Sequence, residues 1–273
     1  MSRYESSRTV TEKPVLPPVL VTRDGGIATV ALNNPARLNA LNKPMWEALG
    51  AAMRELSADD ALRCVVLRGS GDKAFAAGAD ISEFTTDRAD ARQAKEYGAL
   101  IHATMQAVAR CRHPVIALIK GACVGGGLEI AAMCDMRICG ESSRFGVPIK
   151  NLGLTMGYGE LHGVLALVGR AVTLEILLEG RVFDAEEALQ KRLVNRVVAD
   201  AEVEQVAYAL AARVAAGAPL VARWHKQFID RLTVLPQVSA REWDEGFACF
   251  DTDDYRIGVT AFLNKKKPGF TGR

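Results

Sequence analysis

Short runs of β-branched and apolar residues alternate with helical apolar patterns along the first two hundred positions of the chain. These runs predict strands at 27–32, 64–67, 115–119 and 136–139. Asn42 and Pro44 are residue types typical of a helix start. Apolar residues at helical spacing follow them as far as Leu56. Residues 27–68 therefore predict a β-α-β unit, and the alternation as a whole predicts an α/β fold.

The strand signal stops near residue 200, and amphipathic patterns replace it. They predict helices at 201–216, 220–232, 239–249 and 253–264. A helical segment of this size has little core of its own, so we expect it to pack on the α/β core or on another copy of the chain. We therefore divide the chain into a flexible tail (1–17), a core (18–200) and a C-terminal helical oligomerisation region (201–273).

Composition narrows the classes of function. The chain has 273 residues, of which 49% are hydrophobic and 24% charged, as in ordinary globular proteins. Its net charge of +2 gives no global basic field, so we expect no nucleic-acid partner. Without an uninterrupted apolar run of membrane-spanning length, we also expect no membrane partner.

The numbers and spacing of the cysteines and histidines bear on the cell compartment of the protein and on whether it binds a metal ion. Six cysteines lie irregularly without a C-x-x-C pair, and four histidines are scattered. This predicts reduced core cysteines, a cytoplasmic protein and no metal site. The first twenty residues lack the apolar stretch of a secretion signal, and Glu5 and Glu12 argue against an organellar transit peptide.

Two glycine-bearing segments, 71–84 and 121–135, carry the candidate chemistry. The second lacks the spacing of a P-loop or a dinucleotide-binding turn, and its three glycines alone are as compatible with close helix–strand packing as with a ligand site. Both segments lead into helix starts, where backbone N–H groups are free. Asp80 and Glu83 have the spacing of a capping box around the turn that precedes them. Two such amides could form an oxyanion hole for a thioester or ester carbonyl, each contributing on the order of 3 kcal/mol.

Five segments together resemble the enoyl-CoA hydratase, or crotonase, superfamily. They are LNNPARLNAL (32–41), KAFAAGADISEF (73–84), HPVIALIKGACVGGGLEIAAMCD (113–135), FGVP (145–148) and FLNKKKPGFTG (262–272). The resemblance implies a crotonase-like spiral of β-β-α turns with a C-terminal helical trimerisation region, assembled as a homotrimer or a dimer of trimers. It also implies an acyl-CoA or enoyl-CoA thioester as substrate and no cofactor, because coenzyme A is part of the substrate.

The resemblance assigns site residues position by position. The oxyanion-hole amides would be those of Ala79 and Gly126, and Lys265 and Lys266 could hold coenzyme A phosphates. The remaining substrate-binding positions would be Arg37, Leu38, Ala77, Asp80, Ile81, Gly125, Pro148 and Ile149.

Catalysis is where the sequence departs from the family pattern. Family hydratases have one glutamate shortly after the glycine turn and a second directly after the proline of an F-G-x-P segment. Glu129 occupies the first position, but the second is Ile149. Losing one of two acid/base groups typically costs ~10²- to 10⁴-fold in rate, so a two-glutamate hydratase requires a substitute.

Possible substitutes lie in the replaced loop, at Lys150, Tyr158, Glu160 and His162. Glu160 is interpreted as a helix-dipole partner and His162 as a surface or packing residue, and none of the four is assigned a catalytic role. Glu129 is itself open to a structural interpretation as a first-turn carboxylate, but the resemblance favours an acid/base role on an enoyl-CoA, in hydration or double-bond isomerisation.

Two further interpretations stay open at the sequence level. One is a non-catalytic acyl-CoA-binding protein, which the isoleucine at position 149 supports. The other is a different crotonase-family reaction, such as decarboxylation or thioester hydrolysis, since these use the same oxyanion chemistry.

Overall fold

Two β-sheets form the centre of the molecule in a computed structural model that describes residues 16–234 and 239–273. The predicted tail lies outside the described residues, except for its last two positions. The strands of the described part are β1 (Val19–Asp24), β2 (Ile27–Leu32), β3 (Cys64–Gly69), β4 (Ala74–Ala76), β5 (Val115–Ile119), β6 (Ala122–Val124), β7 (Met136–Gly140), β8 (Arg144–Gly146), β9 (Val182–Asp184) and β10 (Arg196–Val198). All four predicted strands are confirmed.

Helices connect and cover the sheets. They are α1 (Lys43–Ala58), α2 (Ala91–Ala109), α3 (Gly126–Met133), α4 (Tyr158–Glu179), α5 (Ala185–Gln190), α6 (Val203–Ala215), α7 (Pro219–Val234), α8 (Ala240–Glu245) and α9 (Asp253–Leu263). Asn42 caps α1, as predicted, because its side chain accepts a hydrogen bond from the Met45 amide at 3.0 Å. The single helix predicted at 239–249 is wrong in its length: α8 ends at Glu245, and a 3-10 helix over Ala248–Asp251 follows.

The strands alternate between the two sheets. The larger sheet has the order β1-β2-β3-β5-β7-β10, and the smaller has the order β4-β6-β8-β9. Each of β3, β5 and β7 in the larger sheet is followed at once by its successor in the smaller sheet and then by a helix. This repeated β-β-α unit confirms the predicted spiral core.

The larger sheet is covered on both faces. Its central strand β5 is buried at every position, because α1, α2 and α3 contribute to the main core on one side. On the opposite side, Val203, Ala207 and Ala211 of α6 pack on a smaller apolar cluster that includes Ile116. Five of the six cysteines are buried, as predicted for small core residues.

Helix α4 is apolar enough to need separate description. Within 16–234 and 239–273, bent helix pairs apart, it is the one helix whose length and composition would suit a membrane span. It is kinked at Gly169, where φ is 73°, and Val164 and Ile176 pack into the main core from either side of the kink.

The start of α3 approaches β4 so closely that only glycine fits. A Cβ on Gly127 would lie 2.3 Å from the carbonyl oxygen of Ala76. We expect Gly127→Ala to lower the free energy of unfolding by more than about 2 kcal/mol, because backbone must move to admit the methyl group. Urea unfolding measures this change.

Gly98 provides the matched control, since a Cβ there would meet nothing within 4 Å and the residue lies inside α2. Gly98→Ala should be neutral or raise stability by up to about 1 kcal/mol, the helix preference of alanine over glycine. Equal stability of Gly127→Ala and the wild type would show that α3 is not held against β4.

Candidate active site

Two glycine turns meet at one edge of the smaller sheet. Gly78 follows β4 and Gly125 follows β6, and these neighbouring strands are parallel, so their carboxyl ends lie at the same edge. Both glycines have positive φ, 104° and 51°. A Cβ on Gly125 would lie 3.6 Å from the Cα of Gly78. The two segments singled out in the sequence therefore contact each other through their turns.

Backbone hydrogen bonds anchor both turns, and one amide in each turn donates no hydrogen bond within the described residues. The Leu41 amide donates to the Gly78 carbonyl at 2.8 Å, and the Asp80 amide donates back to the Leu41 carbonyl at 2.9 Å. Within the described residues, neither the Ala79 nor the Gly126 amide donates a hydrogen bond to the protein. Two free N–H groups on touching turns, one of them at the start of α3, are the components of an oxyanion hole.

The predicted capping box is only half formed. Asp80 does cap the 3-10 helix at Ile81–Thr85, because its carboxylate accepts from the Ser82 amide at 3.0 Å. Glu83 does not return to the Asp80 amide, which the Leu41 carbonyl already occupies. Instead, its carboxylate accepts from the Lys43 amide at 3.0 Å and from the Tyr97 hydroxyl at 2.6 Å. The turn is therefore tied to α1 and α2 rather than to itself.

A cavity of about 200 Å³ opens beside the two free amides. The predicted site residues that line it are Ala77, Ala79, Ile81, Gly125, Gly126, Glu129, Pro148 and Ile149. Its other walls include Trp46, Phe84, Arg88, Ile101, Met156 and Glu160. Most of the predicted site is therefore brought together in one place.

The other predicted binding residues lie outside this cavity. Arg37 pairs with Asp80 at 2.9 Å beside the Gly78 turn, and Leu38 lines a separate groove with Lys73. Lys265 and Lys266 follow α9 with exposed side chains. Their assignment to the coenzyme A portion of a ligand stays a prediction.

Glu129 lies in the first turn of α3 and lines the cavity. Burial raises its pKa to about 8, and the charge of Glu160 adds to the increase, while Arg88 opposes it. The sequence predicted partial desolvation of this carboxylate, and burial is indeed the largest cause of the shift. A carboxyl group with a pKa near neutrality can both donate and accept a proton at physiological pH.

Glu160 shares the cavity with Glu129, so the interpretation of this possible substitute as only a helix-dipole partner is wrong. Ile149 lies in a 3-10 helix at Pro148–Leu152. A loop bounded by glycines follows, and the chain returns to the cavity at the first turn of α4. Glu160 is therefore more than a helix-dipole partner. Its sequence signal is weak: a carboxylate three residues after Gly157, at the helix start that follows the 3-10 helix and loop after the F-G-x-P segment.

The other three candidate substitutes do not line the cavity. Lys150 donates through Nζ to the Leu178 carbonyl at 2.7 Å, Tyr158 is 93% exposed, and the side chain of His162 is also exposed. Of the residues proposed to replace the missing glutamate, the structure therefore brings only Glu160 to Glu129.

Arg88 is a cavity residue for which the sequence contains no signal. It lies between the 3-10 helix at Ile81–Thr85 and α2, and its guanidinium carbon stands 3.8 Å from the centre of the Tyr97 ring. No group of three metal-binding side chains occurs in the described ranges 16–234 and 239–273. The cavity thus combines free amides, two carboxylates and one guanidinium.

A sequence model of the enoyl-CoA hydratase/isomerase family matches residues 22–273. The chain belongs to the enoyl-CoA hydratase/isomerase family. Among curated relatives, the short-chain-enoyl-CoA hydratase of Clostridium acetobutylicum is 34% identical over 258 residues, covering 93% of this chain and 98% of that protein. The crotonyl-CoA hydratase of Syntrophomonas wolfei is 33% identical, again covering 93% and 98% of the two chains.

Solved structures of the enoyl-CoA hydratase/isomerase family share the fold. The crystal structure of an enoyl-CoA hydratase/carnithine racemase from Magnetospirillum magneticum superposes with a TM-score of 0.93 at 51% identity, covering 95% of this chain and 97% of that one. The superfamily and the α/β spiral fold expected from the sequence are confirmed. The chain is thus an enzyme of the enoyl-CoA hydratase/isomerase type.

Proposed function

We propose that this enzyme adds water to the double bond of a trans-2-enoyl-CoA, with Glu129 and Glu160 as its two acid/base groups. The observation that carries the proposal is the placement of Glu160 in the cavity of Glu129. The isoleucine at position 149 removes one carboxylate from the family pattern, and Glu160 supplies another from a different element. The main support for a non-catalytic acyl-CoA-binding protein is thereby lost.

The free amides define where the substrate carbonyl would bind. With the thioester oxygen between the Ala79 and Gly126 N–H groups, negative charge that develops on this oxygen is stabilised. This stabilisation favours attack at the β-carbon, because the electrons of the double bond move toward the thioester and form an enolate.

The two carboxylates then divide the proton transfers. Glu160, as the base, takes a proton from water while the water oxygen forms a bond to the β-carbon. Glu129, whose raised pKa favours its protonated form at neutral pH, gives a proton to the α-carbon as the enolate collapses. Water adds across the double bond, and one proton returned from Glu160 to Glu129 restores the starting state.

Incubation with trans-2-enoyl-CoA substrates of several chain lengths tests the proposed reaction. We expect the absorbance of the conjugated thioester to fall and the product mass to increase by one water. Saturated acyl-CoA of the same lengths is the control and should be unchanged. A product of unaltered mass would show that the enzyme isomerises the double bond instead of hydrating it. The absence of any product at every chain length would contradict both reactions.

Assembly and coenzyme A binding also stay proposals. We propose a homotrimer or a dimer of trimers built through the C-terminal helices, supported by exposed apolar side chains such as Trp243, Phe247 and Phe262. Lys265 and Lys266 lie in the same region and could meet coenzyme A phosphates. We further propose a cytoplasmic enzyme that requires no cofactor besides the coenzyme A of its substrate, with no nucleic-acid or membrane partner.

A further inference from the structure

We infer that Arg88 binds a carboxylate at the far end of the acyl chain, so that the preferred substrates are acyl-CoA thioesters of dicarboxylic acids. This inference rests on the proposed function only in placing the thioester carbonyl at the Ala79 and Gly126 amides. It adds the chemical class of the acyl group, which the family does not specify.

The guanidinium has hydrogen-bonding groups that the protein leaves unused. Its Nε and Nη2 atoms are buried, and within the described residues neither has a hydrogen-bond partner. A buried donor without a partner costs about 1–3 kcal/mol, and more when it carries charge. An oxyanion in the cavity would recover this cost once the arginine side chain turns these covered nitrogens toward it, and a carboxylate matches the two-pronged geometry of arginine.

Nearby carboxylates on the same part of the chain are already occupied. Glu83 accepts hydrogen bonds from the Lys43 amide and the Tyr97 hydroxyl. Asp87 accepts from the Thr86 hydroxyl at 2.7 Å, and its other oxygen lies 3.9 Å from the Lys43 ammonium. Asp90 caps α2 by accepting from the Gln93 amide at 2.8 Å. Within the described residues, none of these three acids forms an ion pair or a hydrogen bond with Arg88.

Two aromatic rings hold the guanidinium at the cavity wall. Its carbon lies 3.8 Å from the ring centre of Tyr97 and 5.1 Å from that of Phe84. Tyr97 is itself buried, and its hydroxyl is fixed by Glu83 at 2.6 Å. The rings therefore keep the guanidinium beside the cavity before a ligand arrives, which reduces the conformational entropy lost on binding.

The remaining charges of the cavity set the direction of the acyl chain. Glu129 and Glu160 line the same space and would repel a second carboxylate. The charge of Arg88 lowers the pKa of Glu129, whereas the charge of Glu160 raises it, so the three charges interact across the cavity. A chain that starts at the two amides can end in a carboxylate only beside Arg88, where the positive charge offsets this repulsion.

Binding of unreactive saturated thioesters tests the inference without requiring turnover. Calorimetry compares pentanoyl-CoA with glutaryl-CoA, and hexanoyl-CoA with adipoyl-CoA; each pair has equal carbon number and differs in a terminal methyl or carboxylate. We expect the carboxylate-bearing member of at least one pair to bind about 10- to 100-fold more tightly, as for a hydrogen-bonded charge.

Variants assign the preference to Arg88. Arg88→Gln should abolish it, and Arg88→Lys should keep part of it, because charge remains while the two-pronged geometry is lost. Arg92→Gln is the matched control, since Arg92 is 70% exposed on α2 and pairs with Glu96. This variant should keep the full preference.

Three results separate this inference from the proposed reaction. Equal affinities within both pairs, or a preference that persists in Arg88→Gln, would overturn the inference even if enoyl-CoA is hydrated. An Arg88-dependent preference without any hydration would overturn the proposed reaction and leave the inference standing. If Arg88→Gln fails to fold, the wild-type comparison and Arg88→Lys still decide the outcome.

Discussion

Replacing Glu129 by glutamine should lower kcat about 100- to 10,000-fold while changing acyl-CoA affinity only a few-fold. The substitution keeps the shape of the side chain and removes its ability to transfer a proton, while the two amides that hold the carbonyl are unchanged. Steady-state kinetics with an enoyl-CoA, together with calorimetry of a saturated acyl-CoA, separate these effects. Glu96→Gln makes the same chemical change on a side chain that is 67% exposed and should have wild-type activity.

The same variant should change stability in a pH-dependent way. Folding raises the pKa of Glu129 from 4.5 to about 8, so the folded state holds this proton more tightly than the unfolded state. The stability associated with the protonated carboxyl is fully present below pH 4.5 and is lost as the pH rises through about 8. Glu129→Gln should therefore be more stable than the wild type near about pH 9 and show little advantage at low pH.

Thermal melts across this pH range check the second effect, with Glu96→Gln again as the control. Full activity of Glu129→Gln would exclude an acid/base role. Loss of activity with an equal loss of acyl-CoA binding would instead assign Glu129 to the shape of the cavity.

The α/β alternation was predictable because its signals are local and periodic, whereas the spiral arrangement was implied by the family resemblance. Strands β2, β3, β5 and β7 are short apolar runs between turn residues, and α1 shows its apolar face in the spacing along the chain. The two glycine turns were also predictable, since β4 and β6 each end in a small-residue segment. That these turns touch requires the pairing of the two strands, which no local pattern contains.

Glu160 was a candidate from the sequence, but its place in the cavity, like that of Arg88, was not predictable for a different reason. A carboxylate in the first turn of α4 satisfies the helix dipole wherever it points, so the sequence pattern is the same for a surface residue and a cavity residue. Its direction depends on the path of the loop between Gly153 and Gly157. Arg88 lies in an irregular connection before α2, and only the packing of Phe84 and Tyr97 brings it to the cavity.

Replacing Glu160 by glutamine should also lower kcat about 100- to 10,000-fold, if the second carboxylate of the reaction comes from α4. It should lower the pKa of Glu129 below its wild-type value as well, because the negative charge of Glu160 is one of the two causes that raise it. A carboxyl-carbon NMR titration of Glu129 measures this shift directly, and a Glu160 side chain whose charge does not reach Glu129 would not produce it. Glu96→Gln should leave the titration unchanged.

The combination of variants shows whether the two carboxylates act as a unit. Glu129→Gln together with Glu160→Gln should be little slower than either single variant, because one missing proton transfer already blocks the reaction. Multiplicative losses would mean that the two groups act independently.

Ile149 provides the decisive complement to Glu160→Gln, since it lines the same cavity at the position where family hydratases have their second glutamate. Ile149→Glu in the Glu160→Gln background should recover part of the lost hydration, whereas Ile149→Gln in that background should recover none. Recovery would show that the carboxylate can reach the attacking water from either wall. No recovery, with Glu160→Gln inactive, would mean that this enzyme holds the water on the side of α4 and that its geometry has moved away from the family arrangement.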